Sequence, residues 1–297
     1  MPERAVWGLL GAMTRAILIL FASLGFLLGL APARAEAQTP VDCATAGEAW
    51  SGQAFANAIS VYSLEWAPFG QAELGWEAYA PLVQHELRTD CGPTTVDFAV
   101  ALAQFQGRYA LAPTGVFDQA TFAVLKGVLQ ERRPFVMARI RNECPEPPPL
   151  SELGYLVAEE EHADRLTRLL RRDTLEAYRQ LAAAARREVA ETRTNPELLQ
   201  IFSGFRDPEA DAARCAAQGN CDGVRRAVCS PHRTGAAVDL FVGQLAGYGV
   251  DSTDPAARLA LSRSPTYRWL VANAGRFGFV PYLYEPWHWE YVGGPAS

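Results

Sequence analysis

The sequence predicts an α+β protein: a small helical amino-terminal domain followed by a domain built on a mostly antiparallel sheet. Three observations predict it. Apolar residues recur at helical spacing from Val96 to Phe105, and a pattern rich in Ala, Leu, Arg and Glu predicts a long helix over about Val157 to Thr192. From Leu198 onward, short apolar segments bounded by Gly or Pro are mixed with helix in no regular βαβ order. Between the two regions, "NECPEPPPLSELG" (Asn142 to Gly154) is rich in proline and hostile to helix, which makes it the natural boundary.

The chain of 297 residues is long enough for two ordinary cores, and its 49% apolar and 20% charged content is that of a folded protein. The first residues do not belong to the fold. Arg4 and Arg15 precede the apolar run Ala16 to Ala31, and small-x-small cleavage sites follow at Ala33–Ala35 and Ala35–Ala37. Residues 1–35 therefore read as a secretory signal peptide, the alternative being an uncleaved anchor. Its removal leaves no membrane span and a secreted or periplasmic protein. The net charge is −6, and without a basic stripe nucleic acid is excluded as a partner. Six cysteines suit an oxidising compartment; their spacing is not that of a structural zinc site, so disulfides are expected, with fifteen pairings open. Oligomeric state is not legible.

Residues 40–148 read as the helical domain. "APTG" (Ala112 to Gly115) is a turn signal, and Asp118 can cap a helix beginning near Gln119. The stretch "ALAQFQGRYALAPTGVFDQATFAVL" resembles the repeat of peptidoglycan-binding domains through Phe105, Gln106, Thr114, Gly115, Asp118, Thr121 and Leu125. The resemblance covers about one repeat and implies wall binding; a helical spacer without ligand is the alternative. His85 and His162 read as members of charged helix faces.

Residues 155–297 hold the chemistry. "LLQIFSGFRD" predicts a strand running into a turn, "GAAVDLFVG" a second strand, and "SPTYRWLVANAGRFGF" a helix ending at Gly275 or Gly278. "VPYLYEPWHWEYV" predicts a final strand broken at Pro286.

His232, Asp239 and His288 supply two imidazoles and one carboxylate, the set a catalytic zinc ion needs while one position stays open. Ligand type also admits manganese or iron. Gly235 lets the loop fold sharply between His232 and Asp239. Asp239 lies in the apolar run "AVDLFV", where a carboxylate is costly to bury unless paired or metal-bound. Glu285, three residues before His288, would act as general base if the chain bends at Pro286, since residues three apart in an ideal strand face opposite sides. Trp287 and Trp289 would wall the site. Arg206 would stabilise an oxyanion or hold a substrate carboxylate.

Taken together, "SGFRDP", "CSPHRTGAAVDL" and "YEPWHWEYV" closely resemble the VanY-type D-alanyl-D-alanine carboxypeptidase family of zinc peptidases, over roughly Leu198 to Val292. The resemblance implies His232, Asp239 and His288 as zinc ligands, Glu285 as catalytic base and Arg206 as stabiliser of substrate and transition state. It further implies Ser230 at the substrate site, where Trp287 would join it, while Glu290, past the histidine, reads as a supporting or structural carboxylate. The family's glutamine after the arginine motif has no counterpart in "DPEADAARC". The implied activity is removal of the terminal D-alanine from peptidoglycan stem peptides. A wall endopeptidase (such as L-Ala-D-Glu) with the same metal site, and a non-catalytic wall-binding protein, are the alternatives.

Overall fold

The helical region contains α1 (Ser51–Ser63), a two-stranded hairpin of β1 (Glu65–Trp66) and β2 (Glu73–Leu74), α2 (Ala80–Leu87), α3 (Val96–Arg108), α4 (Gln119–Glu131) and α5 (Pro134–Ile140). The computed structural model describes residues 42–162, 169–219, 221 and 229–294. The expected signal peptide lies outside these residues, as does most of the insert between Cys221 and Cys229.

Helix α3 starts at the Thr95 cap and buries Phe98, Leu102 and Phe105 at a spacing of four and three residues, the stripe a packed helix requires. Helix α4 is capped by Asp118, which accepts from the Thr121 amide at 2.8 Å, as the sequence predicts. The turn between them is held from inside. Gln106, 1% exposed, donates to Val116 O and Thr121 Oγ1, and accepts from the Gly115 amide at 2.8 Å. Asn57 of α1, fully buried, donates to Gly115 O at 2.8 Å and accepts from Phe117 N at 2.9 Å. Thus Gln106, Gly115, Asp118 and Thr121, on which the repeat resemblance rests, all serve the packing of this turn.

After the proline-rich stretch come β3 (Leu153–Tyr155), β4 (Leu169–Arg171), α6 (Arg172–Glu188), α7 (Ala190–Thr194), β5 (Ile201–Ser203), α8 (Pro208–Gln218), a 3-10 turn (Pro231–Thr234), β6 (Ala237–Leu240), α9 (Pro255–Ser262), α10 (Pro265–Asn273), β7 (Phe279–Tyr282) and β8 (Glu285–Tyr291). Among the described residues, the helix expected over Val157–Thr192 is present as α6 and α7 from Arg172 onward; residues 163–168 lie outside them. Leu169–Arg171 instead pair antiparallel with Leu153–Tyr155, so tertiary pairing overrides a helix-favouring composition. His162 is off the helix, its ring 4.5 Å from that of Phe241. Helix α10 passes into a 3-10 turn that ends at Gly278, with φ 79°. A Cβ there would stand 2.3 Å from Gly294 O, so only glycine fits.

Strands β5, β6, β8 and β7 lie in that order in one antiparallel sheet. Tyr282 pairs with Glu285, so Leu283 and Tyr284 make the turn, and the expected break at Pro286 falls within β8: the next pair is Pro281 with Trp289, so the β7 ladder skips Pro286, Trp287 and His288. This bulge sits at Pro286, which cannot donate to the ladder, and it breaks the strict alternation between Glu285 and His288.

The helical region packs against the sheet region, and Val41–Ser297 form one compact unit. A buried cluster joins them. Arg258 of α9 donates to Glu73 Oε1 and Tyr79 OH at 2.8 and 2.6 Å, and to Tyr284 O at 2.8 Å. Three disulfides form, Cys43–Cys91, Cys144–Cys229 and Cys215–Cys221, and no described cysteine is free.

Candidate metal centre

His232, Asp239 and His288 meet, each buried, with one ligand atom apiece lying within 4.8 Å of the others. The sheet accounts for two of them. Asp239 of β6 and His288 of β8 are directly paired across the ladder, which places facing side chains about 5 Å apart at Cβ. His288 Nδ1 lies 2.8 Å from Asp239 Oδ1.

His232 arrives from the 3-10 turn before β6. Ser230 caps that turn, its hydroxyl accepting from the His232 amide at 3.3 Å, and Pro231 occupies the first position, where its missing N–H costs nothing. Gly235 closes the turn at φ 67°, and a Cβ on it would come within 3.1 Å of Arg171 N. The sharp reversal expected at Gly235 is present. It brings His232 Nε2 to 3.3 Å from Asp239 Oδ2.

These side chains fit a metal. Each imidazole turns one nitrogen toward Asp239 and has its other nitrogen on an acceptor. His232 Nδ1 lies 2.7 Å from Gly204 O, and His288 Nε2 lies 3.2 Å from Glu290 Oε1. Such outer contacts fix tautomer and ring orientation in metal sites, with the N–H on the outer nitrogen and a lone pair on the inner one. Ligands about 2.0–2.1 Å from a tetrahedral zinc stand about 3.3 Å apart; His288 and His232 approach Asp239 to 2.8 and 3.3 Å.

The charges are mutually dependent. Burial alone would raise the Asp239 carboxyl, but adjacent His232 and hydrogen bonds from both imidazoles hold it well below the ordinary carboxylate range. Burial pushes His232 down. For His288 burial pulls the same way, but hydrogen bonds to Asp239 and Glu290 outweigh it and raise the group to about 9. Glu290 is held at about 2: burial would raise it, and the Arg133 guanidinium beside it prevails.

Glu285 begins β8, half-buried, and feels both His288 and Asp239. Burial raises its carboxyl above the ordinary glutamate value. Arg206 follows β5; its amide donates to His232 O at 3.2 Å and its guanidinium donates to Ser230 Oγ at 2.7 Å. Its Nε is 3.6 Å from Asp211, too long for a hydrogen bond, and its charge acts on both His232 and Glu285. Ser230, 6% exposed, thereby joins the Arg206 side chain to the His232 turn. Trp287 and Trp289 are 3% and 1% exposed and stand in the hydrophobic core; alternation along β8 turns them to the face opposite His288. The three expected ligands meet; Glu285 and Arg206 act on them electrostatically, Ser230 joins Arg206 to the His232 turn, and Trp287 stands behind them in the core. Sequence reasoning missed the Gly204 carbonyl and Arg133. Neither lies in a motif, and a backbone acceptor has no sequence signature.

An antiparallel sheet here carries a buried two-histidine, one-aspartate set that could hold a metal ion, with Glu285 and Arg206 acting on it electrostatically. Residues 167–294 match the family model of VanY, D-alanyl-D-alanine carboxypeptidase. Two solved structures are similar. One is the LdcB LD-carboxypeptidase, solved for the molecular basis of peptidoglycan recognition: 24% identity, TM-score 0.35, 50% of this chain and 70% of that one. The other is a mutant of the vancomycin-resistance D,D-pentapeptidase VanY from a VanB-type cassette, in complex with Zn(II): 23% identity, TM-score 0.28, 50% of this chain and 83% of that one. No curated protein matches the chain.

Proposed function

We propose that this protein is a zinc-dependent carboxypeptidase that removes the terminal D-alanine from peptidoglycan stem peptides outside the cytoplasm. The observation that carries the reading is the convergence of His232, Asp239 and His288, each imidazole oriented through its outer nitrogen. The family match over residues 167–294 supports the substrate class. Three disulfides support an oxidising compartment.

His232 Nε2, His288 Nδ1 and an Asp239 oxygen would hold the ion. A bound zinc ion supplies Lewis acidity at a scissile carbonyl and makes water a nucleophile near neutral pH. Glu285 takes the proton from the attacking water and delivers it to the departing amine of D-alanine, so the C–N bond breaks as a C–O bond forms. Its raised proton affinity suits both halves of that task, since a catalytic acid–base works best near the operating pH. Arg206, braced by Ser230, offers its guanidinium either to the oxyanion or to the substrate's free carboxylate. Trp287 supports the ligand strand from the core side and keeps bulk water from that face.

The reading is tested by incubating the zinc-loaded chain with a stem pentapeptide ending in D-Ala-D-Ala, and separately with the tetrapeptide, followed by mass spectrometry with and without chelator. Loss of one alanine from the pentapeptide, abolished by chelation, is the expected result. Cleavage of the tetrapeptide alone would move the assignment to the L,D bond. An intact pentapeptide with folded, metal-bound protein would overturn the proposal.

A further inference from the structure

The metal-ligand strand is braced by a residue from outside the region that matches the peptidase family. Arg133 lies between α4 and α5, in the helical region, while the family match begins at residue 167. Pro134 opens α5, which leaves Arg133 extended at φ −100°, ψ 105°, as a residue before proline prefers. That conformation sends its side chain into the sheet region rather than along a helix face.

The contacts converge on a single oxygen. Arg133 Nε and its terminal Nη2 donate to Glu290 Oε1 at 2.9 and 2.5 Å, and the same oxygen faces His288 Nε2 at 3.2 Å. Arg133 is 5% exposed and Glu290 4%, so water does not compete with this chain of contacts. The guanidinium also lies over the Tyr282 ring at 4.2 Å, and that ring stands edge-on to His288 at 5.9 Å. Its remaining amino group donates to Gln130 Oε1 at 2.5 Å, which anchors the fork to α4. Glu290, at the outer nitrogen of His288, and Tyr282, edge-on to its ring, therefore both rest on Arg133.

We propose that Arg133 is a positioning residue for the metal centre: through Glu290 and Tyr282 it orients His288, so the helical region is an integral part of the site and not only a tether or spacer. This rests on the reading of His232, Asp239 and His288 as metal ligands. The physical argument is one of buried charge and geometry. A carboxylate as buried as Glu290 keeps its place only with a hydrogen-bonded counter-charge, and an arginine fork fixes direction where a lysine supplies only charge. An imidazole whose outer acceptor is free to turn samples orientations in which Nδ1 misses the ion, and loss of such outer partners typically costs about 10- to 100-fold in metal affinity.

The test measures zinc affinity of the full mature chain by competition with a chromophoric chelator, with far-UV circular dichroism confirming the fold. The variants are Arg133→Met, Arg133→Lys, Glu290→Gln and the Arg133→Met/Glu290→Gln double, with Arg132→Ala as control. Arg132 is next in the chain and pairs with Glu86, away from the metal ligands. Arg133→Met and Glu290→Gln are each expected to weaken zinc binding about 10- to 100-fold. The double variant should be no weaker than the worse single, Arg133→Lys should recover part of the loss, and Arg132→Ala should leave affinity unchanged. Cobalt(II) replacing zinc should show an altered visible spectrum in the Arg133 variants, a change that general loosening of the fold would not produce. Folded Arg133→Met with wild-type affinity and spectrum would overturn the inference. Should that variant not fold, Arg133→Lys decides on the same readouts: wild-type behaviour overturns it, and a weakened, spectrally altered site supports it. A wild-type chain that binds no zinc would overturn the metal reading itself, which keeps the two failures apart.

Discussion

Asp239 and His288 are direct partners across two antiparallel strands, Oδ1 to Nδ1 at 2.8 Å, so a pair 49 residues apart in the chain shares one row of the sheet. Backbone hydrogen bonding therefore sets their spacing before any side-chain choice is made. Asp239→Asn keeps the shape and the row but removes the charge that both imidazoles face. Zinc affinity measured by chelator competition should fall more than about 100-fold, beyond the loss expected for an outer partner, and the metal-free protein should melt lower, because buried His288 loses the Asp239 counter-charge.

Glu285 is the one carboxylate at this centre with a raised proton affinity, and its cause is burial. The base form is lost as pH falls through the raised value. The acid limb of kcat/KM should therefore lie above the ordinary glutamate value of 4.5. Glu285→Gln should lower kcat by about 10²- to 10⁴-fold and leave zinc content unchanged. Full hydrolysis by that variant would remove Glu285 from the role of base.

Arg206 and Ser230 act as a pair, joined at 2.7 Å. Arg206→Ala should lower kcat/KM by about 10²- to 10³-fold, the usual loss for one oxyanion donor. Arg206→Lys should not restore full activity, because an ammonium cannot reach both Ser230 and a substrate oxygen in one plane. Ser230→Ala should cost less than Arg206→Ala, since the guanidinium remains. Steady-state kinetics on the pentapeptide measure all three.

Arg258 is 2% exposed and satisfies Glu73, Tyr79 and the Tyr284 carbonyl together. Removing it leaves Glu73 buried without its counter-charge and frees the turn that leads into Glu285. Arg258→Ala should destabilise the fold by about 3–5 kcal/mol, read by denaturant unfolding monitored through tryptophan fluorescence. A loss below about 1 kcal/mol would mean that the cluster contributes little net stability.

The site was more legible in the sequence than the fold around it. His232, Asp239, His288, Glu285 and Arg206 announce themselves because their residue types conflict with their apolar or turn-rich surroundings, and three short motifs carry them in order. The cap at Asp118, the reversal at Gly235 and the helix stop at Gly278 were legible for a related reason: each position needs one kind of backbone chemistry. The strand Leu169–Arg171 was not, because its partner Leu153–Tyr155 is distant in sequence and its own composition favours helix. The break at Pro286 was legible because proline cannot donate to a ladder, but its extent, three residues skipped on the β7 side, shows only in the register. Trp287 shows the limit of adjacency: one position from His288, it faces the core. Arg133 and Arg258 carry no motif, and only the packing of the helical region on the sheet gives them their partners.

The central claim is that His232, Asp239 and His288 hold one metal ion. Anomalous X-ray diffraction at the zinc edge, from crystals of the zinc-loaded chain, tests it most directly. The account predicts a single strong peak about 2.0–2.2 Å from His232 Nε2, His288 Nδ1 and an Asp239 oxygen, absent from crystals grown with chelator. A strong peak on other side chains, or none from a folded and active protein, would contradict it.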